Sequence, residues 1–241
     1  MPASFRTALN LGVVTLAIAT VTLPVAARAT VIANASYSAT GLPSGATLIT
    51  MPATGTYTSG VIEGTVTITT ANGAAVVQGT LTNFYAAPVT GGTAANPTYL
   101  TSNYLSTGGA PGSITLAFSG QEAYFGFLWG SIGAGDLLSF YNTTVSTTAA
   151  EATITGTQAA SAPGYSSVNG AQGFNGSEYT SVNLTGGTFN KVVLSQTVAP
   201  SFEAGLFQYS ANHVPEPATL AILGSGLAGL SLIRRRRPAR A

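Results

Sequence analysis

Apolar and polar residues alternate in short runs through most of the chain, and a longer uncharged apolar run sits near each end. Between residues 61 and 69, Ile62, Val66 and Ile68 alternate with Glu63, Thr65, Thr67 and Thr69, the two-residue period of a half-buried strand. Asn72-Gly73 follows, a preferred pair for a tight hairpin turn, and then a second run over 75–85. Residues 61–85 therefore predict a β-hairpin. Upstream, residues 30–60 are rich in Ala, Thr, Gly and Ser, with Pro43 and Pro52, and predict an irregular lead-in or short edge strands. Downstream, Pro88, Gly91, Gly92, Pro97, Gly108, Gly109 and Pro111 mark 86–111 as a long surface loop.

Strands resume at "GSITLAF", where Ile114, Leu116 and Phe118 share a face, and Ser119-Gly120 is expected to turn the chain. "AYFGFLW" is apolar at nearly every position, the signature of a strand buried on both faces. "GSIGAGD" reads as a loop, "LLSFYNTTV" as a strand and "ATITG" as a weaker one. A polar stretch over 157–176 separates these from "EYTSVNL", "TFNKVVLS" and "FEAGLFQY". Short strands at this spacing, with no amphipathic helix among them and no fixed-period repeat, predict an all-β fold. The expected form is an antiparallel two-sheet β-sandwich, jelly-roll-like, over about residues 35–210.

Charge changes the picture. Of 241 residues only 6% are charged, against about 25% in ordinary soluble domains, and small neutral polar residues take their place. The basic residues lie at the ends: Arg6 and Arg28 at one, Arg234, Arg235, Arg236, Arg237 and Arg240 at the other. Between them stands Lys191 alone against Glu63, Glu122, Asp136, Glu151, Glu178 and Glu203. That acidic balance excludes nucleic acid as a partner of the middle region, since phosphate binding needs basic patches.

The common catalytic sets lack parts. The sole histidine, His213, lies beyond the last predicted strand, and there is no cysteine, which leaves neither a Ser-His-Asp triad nor a zinc set. A single aspartate provides no Asp-x-Asp cluster for calcium. Paired carboxylates of the glycosidase kind stay open among the six acidic residues, which are expected to be solvated. No catalytic, cofactor-binding or metal-ligating residue is assigned, and the chain is not expected to be an enzyme. Thr65-x-Thr67-x-Thr69 and Thr153-x-Thr155-x-Thr157 place hydroxyls on strand faces, as an ice-binding surface would need, but without the many flat repeats such a surface requires.

The ends are more specific. Arg6, an apolar run over 9–26 and the small-x-small triplet Ala27-Arg28-Ala29 have the layout of a secretory signal peptide, with cleavage between Ala29 and Thr30. A retained transmembrane helix is the competing reading, and Pro24 with the small residues after it favours cleavage. Residues 218–233 carry no charge and as a helix would span about 24 Å, a little short of a bilayer core of about 30 Å. Arginines resist translocation, so Arg234–Arg237 predict a cytoplasmic end and an exported domain.

Val214-Pro215-Glu216-Pro217, the apolar run and the arginine cluster together closely resemble the PEP-CTERM sorting signal of exported proteins in Gram-negative bacteria that make extracellular polysaccharide. The resemblance implies processing near Pro215-Glu216-Pro217 by an exosortase, an integral-membrane enzyme with a cysteine-protease-like active site. Physically, two prolines keep the segment extended and deny it helical hydrogen bonds, so a protease can reach the backbone. The same kind of tail also carries the label of an ice-binding protein C-terminal domain, for which its residues give no physical support. A second, shorter stretch, "AYFGFLWGSIGAGDLLSFYN", looks like a strand pair recurring in exosortase-dependent surface proteins and implies a β-sandwich surface domain without catalytic residues.

The expected organisation is a signal peptide over 1–29, an exported domain over 30–212 and a sorting tail over 213–241. The tail divides into the motif at 214–217, a transmembrane helix at 218–233 and a basic end at 234–241. The expected function is a surface or matrix structural protein in an exopolysaccharide or biofilm setting. Its expected partners are signal peptidase, exosortase, the membrane as a transient anchor and exopolysaccharide, and no cofactor is expected. A carbohydrate-binding module is the alternative, with Trp129 and Tyr141 as the candidate glycan platform; ice binding and glycan-active catalysis are the remaining readings.

Overall fold

The structure, a computed structural model, describes residues 31–38, 42–81, 84–93, 96–108, 111–130, 132–161, 177–197 and 201–213. The signal peptide, its cleavage residues Ala27, Ala29 and Thr30, and the tail from Val214 onward lie outside the described residues. Among the described residues no helix is long and apolar enough to cross a membrane.

Two antiparallel sheets form the domain. The seven-stranded sheet runs in the order β1 (Ile32–Ser38), β13 (Glu178–Thr185), β10 (Tyr124–Gly130), β15 (Glu203–Ser210), β8 (Tyr104–Ser106) and β5 (Ala75–Val77), with β2 (Thr47–Leu48) also on β15. The six-stranded sheet runs β12 (Ala152–Thr155), β11 (Asp136–Tyr141), β14 (Phe189–Gln196), β9 (Ser113–Glu122), β4 (Val66–Ala71) and β3 (Val61–Glu63). A small hairpin of β6 (Val89–Thr93) and β7 (Asn96–Tyr99) stands apart from both. From β8 to β15 the chain changes sheet at every step except β11 to β12, giving orders β8-β15-β10-β13 and β9-β14-β11-β12. That alternation is the strand order of a jelly roll.

Alternating side chains build the core. In β9, Ile114, Leu116 and Phe118 point inward, as do Val66 and Ile68 in β4 and Val192 and Leu194 in β14. The two sheets meet through Phe125 of β10, whose ring lies edge-on to Phe118, Phe140 and Phe189 of the facing sheet, at 6.3, 6.1 and 6.3 Å. Every residue of β10 is buried, because a second layer covers its outer face. Pro88 lies where a Cβ on Gly130 would stand 3.0 Å from its ring, and Leu100 and Tyr104 crowd Gly205 of the neighbouring strand in the same way.

That second layer corrects the surface-loop expectation for 86–111. The stretch contains β6, β7 and β8, and Ala86, Ala87, Leu100, Tyr104 and Leu105 are buried. Pro88 belongs to this buried layer, while Thr98, Tyr99, Thr101, Ser102 and Pro111 of the same stretch are exposed. The expected 61–85 hairpin is corrected too. β3 pairs with β4 around Gly64-Thr65, whereas β5 pairs with β8 in the other sheet. Asn72 and Gly73 do turn, with φ of 55° and 85°, but the turn carries the chain between sheets. Ile62 sits opposite Thr67 on the outward face and is 73% exposed, while Val61 and Ile68 face inward. Ser119-Gly120 does not turn; β9 continues through it to Glu122. One short helix, α1 (Gly156–Ala160), begins the stretch expected to be only polar, with Thr155 and Gln158 forming a capping box.

Candidate functional site: the pole where the tail departs

β15 ends at Ser210, whose carbonyl accepts from Ala123 N–H at 2.9 Å; the Ala123 carbonyl accepts from Leu184 N–H, also at 2.9 Å. Beyond the strand, Asn212 N–H donates to Ser210 Oγ at 3.1 Å. His213 then places Nε2 2.7 Å from the Leu184 carbonyl oxygen. A carbonyl only accepts, so Nε2 carries the hydrogen in this contact. The other end of the described chain is beside it: Ile32 pairs with Thr185, and Val31 lies against Gly187. Both chain ends therefore leave the sandwich at one pole.

Neutral side chains hold this pole together. Gln121 Nε2 donates to Asn142 Oδ1 at 3.3 Å, and Thr188 Oγ1 donates to Gln121 Oε1 at 2.9 Å. Asn190 and Thr143 exchange two bonds, Thr143 N–H to Asn190 Oδ1 at 2.8 Å and Asn190 Nδ2 to Thr143 Oγ1 at 2.7 Å. Amides and hydroxyls act here as both donors and acceptors, so the loops close with little charge. Glu122 at the same pole is buried, and desolvation raises its carboxyl above the ordinary value. Lys191 stands with Nζ 4.1 Å from the centre of the Tyr141 ring and 3.4 Å from the Thr147 carbonyl.

The candidate glycan platform is not assembled. Trp129 is 0% exposed, with Phe202 stacked on it at 4.8 Å and 7° and Phe127 at 5.4 Å. A sugar would need a bare ring face, and the sandwich core occupies that position. Tyr141 is half-buried on the outward face of the other sheet, so the two rings share no surface. Of the two threonine arrays, Thr67, Thr69, Thr153 and Thr155 do lie on strand positions, but Thr65 is in a turn and Thr157 in α1.

Three acidic residues expected in solvent are buried instead: Glu122, Asp136 and Glu203. Ser201 Oγ donates to Glu203 Oε1, and Ala86 N–H approaches the same oxygen at 3.3 Å. Asp136 Oδ2 accepts from the Trp129 indole N–H at 3.2 Å and from Gly133 N–H at 2.9 Å, while Oδ1 is buried with no hydrogen-bond partner. The local cue was the Gly-Ala-Gly-Asp turn, where an aspartate can bond its own loop backbone. Gly156 closes the site: a Cβ there would stand 1.9 Å from the Gly133 carbonyl. Among the described residues no group of three or more acidic or histidine side chains converges as a metal set.

Burial lifts the Asp136 carboxyl from 3.8 to about 7, with the Gly133 and Trp129 hydrogen bonds pulling the other way. Between those values the folded chain holds a proton that the unfolded chain has released. This group's contribution to stability is therefore present below pH 3.8, falls as pH rises toward about 7, and is flat above. Asp136→Asn is expected to raise the thermal midpoint at pH 8 and to flatten its dependence between pH 5 and 8. Thermal unfolding followed at several pH values measures this, and a variant with the wild-type slope would refute the assignment.

Against known proteins, residues 213–237 match the model of the PEP-CTERM protein-sorting motif. No curated protein and no solved structure matches the chain. The chain thus carries a PEP-CTERM sorting motif, which indicates export and exosortase processing, next to an all-β domain, and the matched segment starts at the residue that docks on Leu184.

Proposed function

We propose that the protein is a non-catalytic structural component of the cell surface or extracellular matrix, made with a signal peptide over 1–29 and a temporary C-terminal anchor. The sorting motif, matched at 213–237 directly after the last strand, carries this reading. Signal peptidase releases Thr30, residues 218–233 halt the chain in the membrane, and Arg234–Arg237 hold the end in the cytoplasm. An exosortase then cuts near Pro215-Glu216-Pro217, in an exopolysaccharide setting. The buried carboxylates support a structural role, because Asp136 and Glu203 spend their hydrogen bonds on loop backbone, an indole and a serine. A surface sparse in charge and rich in small neutral polar groups suits a matrix component that lies among hydrated polymers.

Mass spectrometry of both ends of the exported protein tests this reading. The expected amino terminus is Thr30, and the expected carboxyl terminus falls between Val214 and Pro217. Exported protein that retains Met1 or ends at Ala241 would overturn it.

A further inference from the structure

We infer that the His213–Leu184 contact restrains processing, so that the folded domain, and not a free linker, controls access to the cut site. This rests on the sorting reading above. Only Val214 lies between His213 and Pro215, so Pro215 is within about 7 Å of chain from the docked histidine. A protease takes its substrate extended through several residues on each side of the scissile bond. Here the residues on the domain side are held: Asn212 N–H by Ser210 Oγ, and the His213 ring by β13. β13 in turn is fixed between β1 and β10.

The cut breaks one amide bond: the acyl carbon stays with the domain and takes a nucleophile, water or another acceptor, and the tail leaves as the amine. For the domain-side residues to enter the protease, the His213 contact must open first. When opening and closing are fast against cleavage, the rate follows the population of the open form. Losing one hydrogen bond of ordinary net strength raises that population about fivefold. The co-location of both chain ends adds a second constraint. The pole bearing Leu184 faces the membrane whichever terminal segment is still attached, so the protease approaches the side where His213 is docked.

The test is the half-life of the full-tail form in the native host, followed by pulse-chase with mass spectrometry of the product. Full-length chains carrying His213→Ala are expected to lose the full-tail form about fivefold faster at the same bond, and chains with a six-residue Gly/Ser spacer between His213 and Val214, in which cleavage no longer needs the contact to open, at least as fast. His213→Gln retains a side-chain donor for the Leu184 carbonyl and is expected to move the half-life back toward wild type. An unchanged or longer half-life in both the alanine and spacer variants would overturn the inference. Equal thermal midpoints of the processed proteins separate lost docking from lost folding; a faster cut that tracks a lowered midpoint also counts against it. Alanine at Pro215, Glu216 and Pro217 is the control for the sorting reading itself. If that variant is blocked while His213→Ala is unchanged, only the restraint falls; if it is processed normally, the sorting reading falls.

Discussion

Replacement of Pro215, Glu216 and Pro217 together by alanine is expected to leave the exported protein uncut, with its tail in the membrane. The loss should be nearly complete, because two effects coincide. The backbone loses the two prolines that disfavour helix, so on the proposed anchoring a helix formed by the apolar run 218–233 would be free to extend upstream and bury the scissile bonds. The single acidic landmark of the tail, Glu216, disappears. Replacing Arg234–Arg237 by alanine is expected to give the opposite defect. Each arginine at mid-membrane opposes translocation by about 2.5–3.5 kcal/mol on insertion scales, so their loss lets the tail slip through and weakens retention. Membrane fractionation and intact-mass measurement distinguish an accumulating full-tail form from early release. Normal processing of the Pro215/Glu216/Pro217 variant would refute the reading.

Trp129→Ala is expected to be the most damaging single change in the domain. The side chain is fully buried in a three-ring cluster with Phe202 and Phe127, and its indole N–H is one of two donors to Asp136. Emptying such a site costs about 3–5 kcal/mol, and the carboxyl deprived of a partner adds about 1–3 kcal/mol. A domain of this size has about 5–15 kcal/mol to lose, so the thermal midpoint should fall by about 10–20 °C. Tyr141→Ala removes a ring that Lys191 covers at 4.1 Å and should cost less than about 1 kcal/mol. Thermal unfolding of the purified exported proteins tests both together. A Trp129→Ala protein that melts within a few degrees of wild type would show that the ring is not part of the core.

The strands after residue 110 were legible because each carries a two-residue alternation or a continuous apolar run. β9, β10, β11, β12, β13, β14 and β15 all overlap the segments the pattern marks, although β9 runs on through the expected Ser119-Gly120 turn and β11 stops at Tyr141. Partners were not legible: Asn72-Gly73 specifies a tight turn, but nothing local says whether the next strand returns beside β4 or crosses to the other sheet. The layer over β10 was hidden for a related reason. Its anchors Ala86, Ala87, Leu100 and Tyr104 are scattered among glycines and prolines, and their burial depends on a surface built elsewhere in the chain. The sorting tail, by contrast, is read by proteins that act on sequence order, so its three parts stand out without any fold. The docking of His213 has no sequence cue at all, since it depends on where β13 ends.

The position of β15 sets the timing of assembly. β15 is the last strand in the chain, yet it lies between β10 and β8 in the middle of its sheet. Hydrogen-bonded partners such as Asn34 and Thr185 are 151 residues apart, and a topology of such distant pairings folds slowly. For an exported chain emerging amino terminus first, the sheet stays split until residues 203–210 have crossed, only a few residues ahead of the tail. Until that moment β10, apolar along its whole length, has an open edge outside the membrane, so aggregation competes with folding until the last strand has crossed.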